Sequence, residues 1–155
     1  MTGAFELSGY CMSKRINKRR ESRESAFKIV FGININGLSA DEAIELAETI
    51  GEPKVDKYSK SIVSAVYDNL ENIDKYIKDN LKDWDIKRVS KISLAILRMS
   101  CAEIFYIQKA SDSIVINEAV EISKKYGDED DYIFINGLLG SISRSKMIDG
   151  EEKET

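Results

Sequence analysis

The chain has 155 residues, of which 43% are hydrophobic and 32% charged, and a formal net charge of -4. That is enough apolar material for one compact domain with a real core, and too little length for two ordinary ones. No apolar run approaches the roughly 20 residues needed to cross a bilayer, and two cysteines, Cys11 and Cys101, make no disulfide framework. The N-terminus lacks the basic and apolar blocks of a secretory signal, so a soluble protein of the reducing cytoplasm is expected, with no membrane partner. Histidine is absent from the sequence, which removes the commonest general base and most nucleophilic triads and zinc sites. With no glycine-rich phosphate loop either, the reading is of a protein that is not an enzyme, without catalytic residues, cofactor or metal.

Met12 followed by SKRINKRR has the form of a second start, so residues 1–12 read as an upstream in-frame extension or a cloning scar outside the fold. From about Lys18 to Asn34, the apolar residues Ala26, Phe27, Val30, Phe31 and Ile33 recur at three- and four-residue steps and predict a helix with one core-facing stripe. GININGLS breaks it. Ser39 with Glu42 three residues on is a capping box, opening a short helix that ends at Gly51. After Pro53, the only proline, Val55, Tyr58, Ile62, Val66, Leu70, Ile73, Ile77 and Leu81 keep helical spacing without a gap and predict one long helix. KDWDIKRVS turns the chain. The run from Ile92 to Tyr106 is apolar on nearly every side, the mark of a central helix, and Cys101 inside it reads as core rather than nucleophile. Val115, Ala119, Ile122 and Tyr126 mark a further helix ended by Gly127. In DEDDYIFINGLLGSIS the acids suit a helix N-terminus, and Ile135, Leu138 and Ile142 form its stripe. The tail at 149–155, DGEEKET, has no apolar residue and is expected to fray. About six helices and no strand follow.

Charge is segregated along this chain. Residues 14–28 hold seven basic side chains, among them Lys18, Arg19, Arg20, Arg23 and Lys28, against Glu21 and Glu24, a local net of +5 that leaves -9 for the remainder. Arg19 and Arg23 lie four apart with no acid in their row, so on an isolated helix they repel. One reading is an ordinary solvated face, with Glu24 pairing to Arg20 and Lys28. The other is a phosphate-binding arm, whose cations release counterions while the acidic remainder keeps nucleic acid away from other surfaces. A membrane-surface helix fits less well, because the apolar face is needed for the core and lacks a bulky tryptophan-rich edge.

The runs WDIKRVSKISLAILRMSCAEIF and IVINEAVEISKKYGDEDDYIFINGLL resemble the NusB family of bacterial transcription antitermination factors, and RRESRESAFKIVF resembles that family's arginine-rich first helix. The resemblance covers about residues 14–145, and ILR, INEAVEISKKYG and FINGLL in that order are its most specific parts. It implies an all-α fold of two packed three-helix bundles forming one compact helical domain: an N-terminal bundle at 13–81 with the arginine-rich helix and a C-terminal bundle at 82–148, followed by the acidic tail. It also implies binding of boxA-type single-stranded RNA of nascent rRNA transcripts together with NusE, a small-subunit ribosomal protein, within an RNA polymerase antitermination complex.

Under that resemblance Lys18, Arg19, Arg20, Arg23 and Lys28 form the RNA-contacting arm, although Glu21 stands where relatives often carry another basic residue. Phe31 is the candidate ring for base stacking, in a position where relatives often carry tyrosine, with a plain core role as the alternative. Arg98 sits in apolar LAILRMS, where an unpaired guanidinium would cost several kcal/mol. It must therefore reach water, RNA or a carboxylate, with Glu118 on the next helix as the expected partner. Asn117 and Asn136 read as buried hydrogen-bonders, and Gly137 and Gly140 as permitting close helix packing. Asp130 falls where the family places partner or regulatory contacts, a helix cap being the alternative. Two other classes stay open. The same helical module is fused in some bacteria to an rRNA cytosine methyltransferase, which needs a second domain that this length does not include, and a protein-binding helical scaffold would make the basic arm incidental. Some relatives pair through the RNA face, so a homodimer also stays open.

Overall fold

Short polar side chains set the helix starts. In the structure, a computed structural model that describes the backbone of residues 3–82 and 84–154 and the side chains of residues 17–82 and 84–148, seven α-helices follow one another: α1 (Gly3–Asn36), α2 (Ala40–Ile50), α3 (Lys57–Asp68), α4 (Leu70–Asn80), α5 (Lys91–Ala102), α6 (Asp112–Tyr126) and α7 (Asp131–Glu154). A 3-10 turn at Ile86–Arg88 precedes α5, and a π turn at Glu103–Ile107 follows it. Among the described residues there is no strand. Ser39, Asp56, Ser90 and Ser111 each accept a hydrogen bond from a backbone N–H three residues on, satisfying donors that the first turn leaves open. At Asp56 the bond is reciprocated by the Ser59 hydroxyl, which accepts from the Asp56 N–H. Gly51 closes α2 at φ 82°, where a side chain would be strained.

The long helix expected from Val55 to Leu81 is instead two. Asn69 stands between α3 and α4 at φ -127°, ψ 23°, with its side-chain amide donating to the Ala65 carbonyl at 2.9 Å. Asparagine offers the backbone this local alternative to a continued helix. Apolar spacing does not register the break, because Val66, Ile73 and Ile77 on its two sides are all fully buried.

Helix α5 is the axis of the molecule, in contact with α1, α3, α4, α6 and α7. Ala95, Ile96, Leu97, Cys101 and Ala102 have no exposed surface. Burial, followed by the Asp74 charge, pushes the Cys101 thiol up to about 12, which leaves it an inert core group. On α6 and α7 the inward stripes are Val115, Glu118, Ala119 and Ile122, and Ile135, Leu138, Leu139 and Ile142.

Three readings are corrected by this packing. Asn117 and Asn136 are exposed rather than buried. Asn136 and Gly137 follow the buried Ile135 by one and two steps of about 100° and so reach the outer side of α7. A Cβ at Gly137 would meet nothing within 4 Å, and one at Gly140 would meet only Arg144 Nη1 at 3.3 Å, so neither glycine is required by a neighbouring helix. The helical backbone of α1 and α7 continues into the expected extension at 1–12 and the expected tail at 149–155, whose side chains, like those of Lys14 and Arg15, lie outside the described residues.

Candidate nucleic-acid interface

The cations of α1 separate by depth. Arg23 is 5% exposed and forms a two-pronged pair with Glu103, Nε donating to Oε1 at 2.6 Å and Nη2 to Oε2 at 3.0 Å. The Tyr58 hydroxyl donates to the same Oε2 at 2.8 Å, completing a triad from α1, α3 and the π turn in which Arg23 and Glu103 are buried and Tyr58 is half-buried. Burial works against the Arg23 charge, but the hydrogen bonds and charge of Glu103 outweigh it and raise the guanidinium pKa above its ordinary value. Tyr58 is raised as well, by burial first and then by the Glu103 charge.

One turn back, Arg20 reaches Glu118 on α6 through Nε and Nη2, both at 3.0 Å, while half of its own side chain stays in water. Arg19 lies over the Tyr58 ring, its guanidinium carbon 3.6 Å from the centroid. Lys18 is exposed. Lys28 makes only an outer contact with Glu52 at 3.4 Å. The acids that offset the arginine row thus come from α6 and the π turn. The surface pairing once open for Glu24 also changes partner: Glu24 accepts from Lys125 at 2.6 Å and from the Tyr126 hydroxyl, not from Arg20 or Lys28.

Phe31 is half-buried against the core, its ring 6.0 Å from that of Phe27 at an interplanar angle of 19°. Phe27 in turn meets Tyr126 at 5.0 Å. The ring therefore keeps one part in the core and one part at the surface. Arg98 has a carboxylate partner, but that partner is Asp74 on α4 rather than Glu118. Nε and Nη2 donate to the two Asp74 oxygens at 2.9 and 3.0 Å, and Nη1 donates to Asn34 Oδ1 at 2.8 Å. Asp74 comes within reach because α4 packs directly on α5. Asn34 lies 11 residues beyond Arg23, roughly 16 Å along α1, so Arg98 ties down the end of that helix far from the arginine row. Asp130 is exposed, its carbonyl accepting from Ile133 N–H, while the side chain that folds back at this helix start is Asp131, which accepts from Asp128 N–H at 2.8 Å.

Sequence reasoning missed Tyr58 and Glu103. Glu103 carried a signal, being one acid in a run of buried apolar residues that had to find a cation. The π turn supplies the reach: Gln108 N–H bonds the Glu103 carbonyl at 2.8 Å, and the wider turn carries Glu103 and Ile104 into the core at 2% and 0% exposure. Among the described residues no group of three or more His, Cys, Asp or Glu could hold a metal ion, and no helix is long and apolar enough to cross a membrane.

Among the described residues the fold is all-helical, and the outer cations of α1, Lys18 and Arg20, stand beside the buried Arg23–Glu103 pair. The family model described as "NusB family" matches residues 20–144. The transcription antitermination protein NusB of Listeria monocytogenes serotype 4a is 41% identical over 126 residues, covering 81% of this chain and 96% of that protein. Its counterpart in Finegoldia magna is 37% identical over 131 residues, covering 83% and 95%. Among solved structures, a crystal structure of the antitermination factors NusB and NusE in complex with dsRNA matches with a TM-score of 0.72 at 27% identity, over 82% of this chain and 96% of that one. The solution structure of NusB from Aquifex aeolicus matches with a TM-score of 0.72 at 28% identity, over 84% and 90%. The chain belongs to the NusB family.

Proposed function

We propose that this chain is a non-catalytic transcription antitermination factor of the cytoplasm, which binds boxA-type RNA of nascent rRNA transcripts together with NusE and so joins the RNA polymerase antitermination complex. The observation that carries the reading is the outer edge of α1, where Lys18 is exposed, Arg19 lies partly buried over Tyr58 and Arg20 keeps half of its side chain in water, while Arg23 is locked beneath them. The relative solved with NusE and RNA supports the same partners.

In this reading the arm works as a rigid comb. The Arg23–Glu103–Tyr58 triad fixes the rotation of α1, and the outer cations neutralise phosphates and release counterions. Arg20 meets the strand while bonded to Glu118, so a phosphate competes with or shares that guanidinium, and affinity for RNA alone is modest. Phe31 supplies a ring edge for a base. Lys28 adds long-range attraction, and Asp130, Asn117 and Asn136 lie exposed on the faces left for protein partners. Arg98, with three of its five N–H donors engaged inside the protein, serves in this reading as a structural strut rather than as a main RNA contact.

A titration of boxA RNA against a scrambled control, each with and without NusE, tests the proposal. NusE should raise the affinity for boxA RNA, and RNA should raise the affinity for NusE by the same factor, because coupling between two ligands is reciprocal. Equal affinity for both RNAs, with no effect of NusE, would remove the adaptor function.

A further inference from the structure

An open trough of about 460 Å³ runs beside the arm, lined by Lys18 and Arg19 of α1, Lys57 and Tyr58 of α3, and Lys109 just beyond the π turn. A smaller hollow of about 170 Å³ shares Arg19, Tyr58 and Lys109 with it. The single acid of the larger trough, Asp56, is already committed as the N-cap of α3, accepting from the Ser59 N–H and from the Ser22 hydroxyl. Four cations therefore face one engaged carboxylate. Lys57 and Lys109 come from outside the basic segment of the sequence and are brought to it by the fold: Gln108 takes the left-handed conformation at φ 54° as the chain leaves the π turn, immediately before Lys109.

Arg19 provides the second observation. Its guanidinium is held on the Tyr58 ring at 3.6 Å, a contact that fixes the plane and leaves the in-plane donors to other partners. Nη1 is buried and has no acceptor among the described residues. A buried charged donor without a partner is costly, and the acceptor suited to a planar fork among ammonium groups is an anionic oxygen. Tyr58 is itself anchored, through the hydroxyl it donates to Glu103. The platform under Arg19 is thus an extension of the Arg23–Glu103–Tyr58 triad.

We propose that this trough is a phosphate subsite, in which Arg19, positioned by Tyr58, acts with Lys18, Lys57 and Lys109 to take one backbone phosphodiester of the bound RNA. This extends the interface from the arginine-rich helix onto α3 and the loop before α6, and it rests on the RNA-binding reading above. Because a phosphate carries no base identity, the subsite sets register and affinity equally for all sequences.

The test uses the full chain and compares a Lys57→Gln, Lys109→Gln double variant with Arg20→Ala. The double variant should bind boxA RNA and its scrambled control more weakly by the same factor. Its plot of log affinity against log salt should flatten by about 0.7, the contribution of one single-strand phosphate. Tyr58→Leu should reproduce that flattening and Tyr58→Phe, which restores the ring, should rescue it; a thermal melt beside each variant separates a folding defect from a lost platform. In parallel, the Arg19 side-chain N–H signal followed by NMR under inorganic phosphate should shift saturably in the wild type and lose that response in the double variant. If Arg20→Ala weakens RNA binding while the double variant keeps wild-type affinity and slope, the subsite is overturned and the function stands. If the wild type binds no RNA, the functional reading falls, and a saturable phosphate shift at Arg19 would then leave an anion site without an RNA role.

Discussion

Arg20 and Arg23 are three residues apart on α1, yet their side chains are 50% and 6% exposed. Energetics follow depth. Removing one member of a buried, hydrogen-bonded ion pair strands the other charge in a poor solvent, at a cost of about 3 to 5 kcal/mol. The Arg20–Glu118 pair is half open, its arginine 50% and its glutamate 9% exposed, so its loss falls between that cost and the ~0 to 1 kcal/mol of a fully exposed pair. Arg23→Ala should therefore lower the urea midpoint sharply, while Arg20→Ala, which leaves the buried Glu118 carboxylate without its partner, should lower it by less and flatten the salt dependence of RNA binding by about 0.7. Denaturation and titration measured on the same two proteins check this, and an Arg23→Ala protein as stable as wild type would show that the pair is not formed. Both arginines were legible as cations on an arm. Which one keeps half of its side chain in water and which is a core strut was not, because the deciding partners, Glu103 and Glu118, lie 80 and 98 residues away in sequence.

At the scale of the element, local chemistry and burial contribute unequally. Ser90 caps the central helix by accepting from Ser93 N–H at 3.1 Å, and loss of such a cap costs about 0.5 to 2 kcal/mol. Leu97, on the same helix, has no exposed surface, and truncating it removes transfer energy and leaves a cavity, for about 2 to 5 kcal/mol. Ser90→Ala should accordingly shift the unfolding transition by less than Leu97→Ala, with the denaturant slope unchanged in both. A larger effect from the cap would mean that α5 is held by its start rather than by its packing. The capped starts at Ser39 and the end at Gly51 were readable from spacing, as was the central position of α5. The division of α3 from α4 was not, because one asparagine interrupts the backbone while the apolar stripe continues on both sides.

Across the whole molecule, two carboxylates couple α1 to the rest of the fold. Burial raises the Glu24 pKa, but the hydrogen bonds from Lys125 and Tyr126 and the neighbouring lysine charges outweigh it and hold it below the ordinary 4.5. Burial likewise raises Asp56, and the bonds from Ser22 and Ser59 with the Lys18 charge hold it below the ordinary 3.8. A carboxyl depressed in the folded state stabilises it above the unfolded value, and that contribution is lost as pH falls through the folded value. The melting temperature should therefore be insensitive to these two groups above about pH 5 and decline below it. A Glu24→Gln, Asp56→Asn double variant should show a shallower decline in the acid limb, measured by thermal melts from neutral pH downward. An acid limb as steep as that of wild type would assign the pH dependence to other groups.

By itself the sequence determined the helical class, the central apolar helix, the cationic first helix and, through three ordered motifs, the family. These are properties of period, composition and short-range order, which contiguous residues carry without reference to a partner. Tertiary structure alone decided that Arg98 pairs with Asp74, that Arg23 is a core strut, that Asn117 and Asn136 face water, and that Lys57 and Lys109 join Arg19 around Tyr58. Each of those outcomes depends on which side chain from a distant segment arrives at a given depth. The cost of burying a charge makes such a pairing obligatory without naming the partner, and the choice of partner falls to the packing of α1, α3, α4 and α6 around α5.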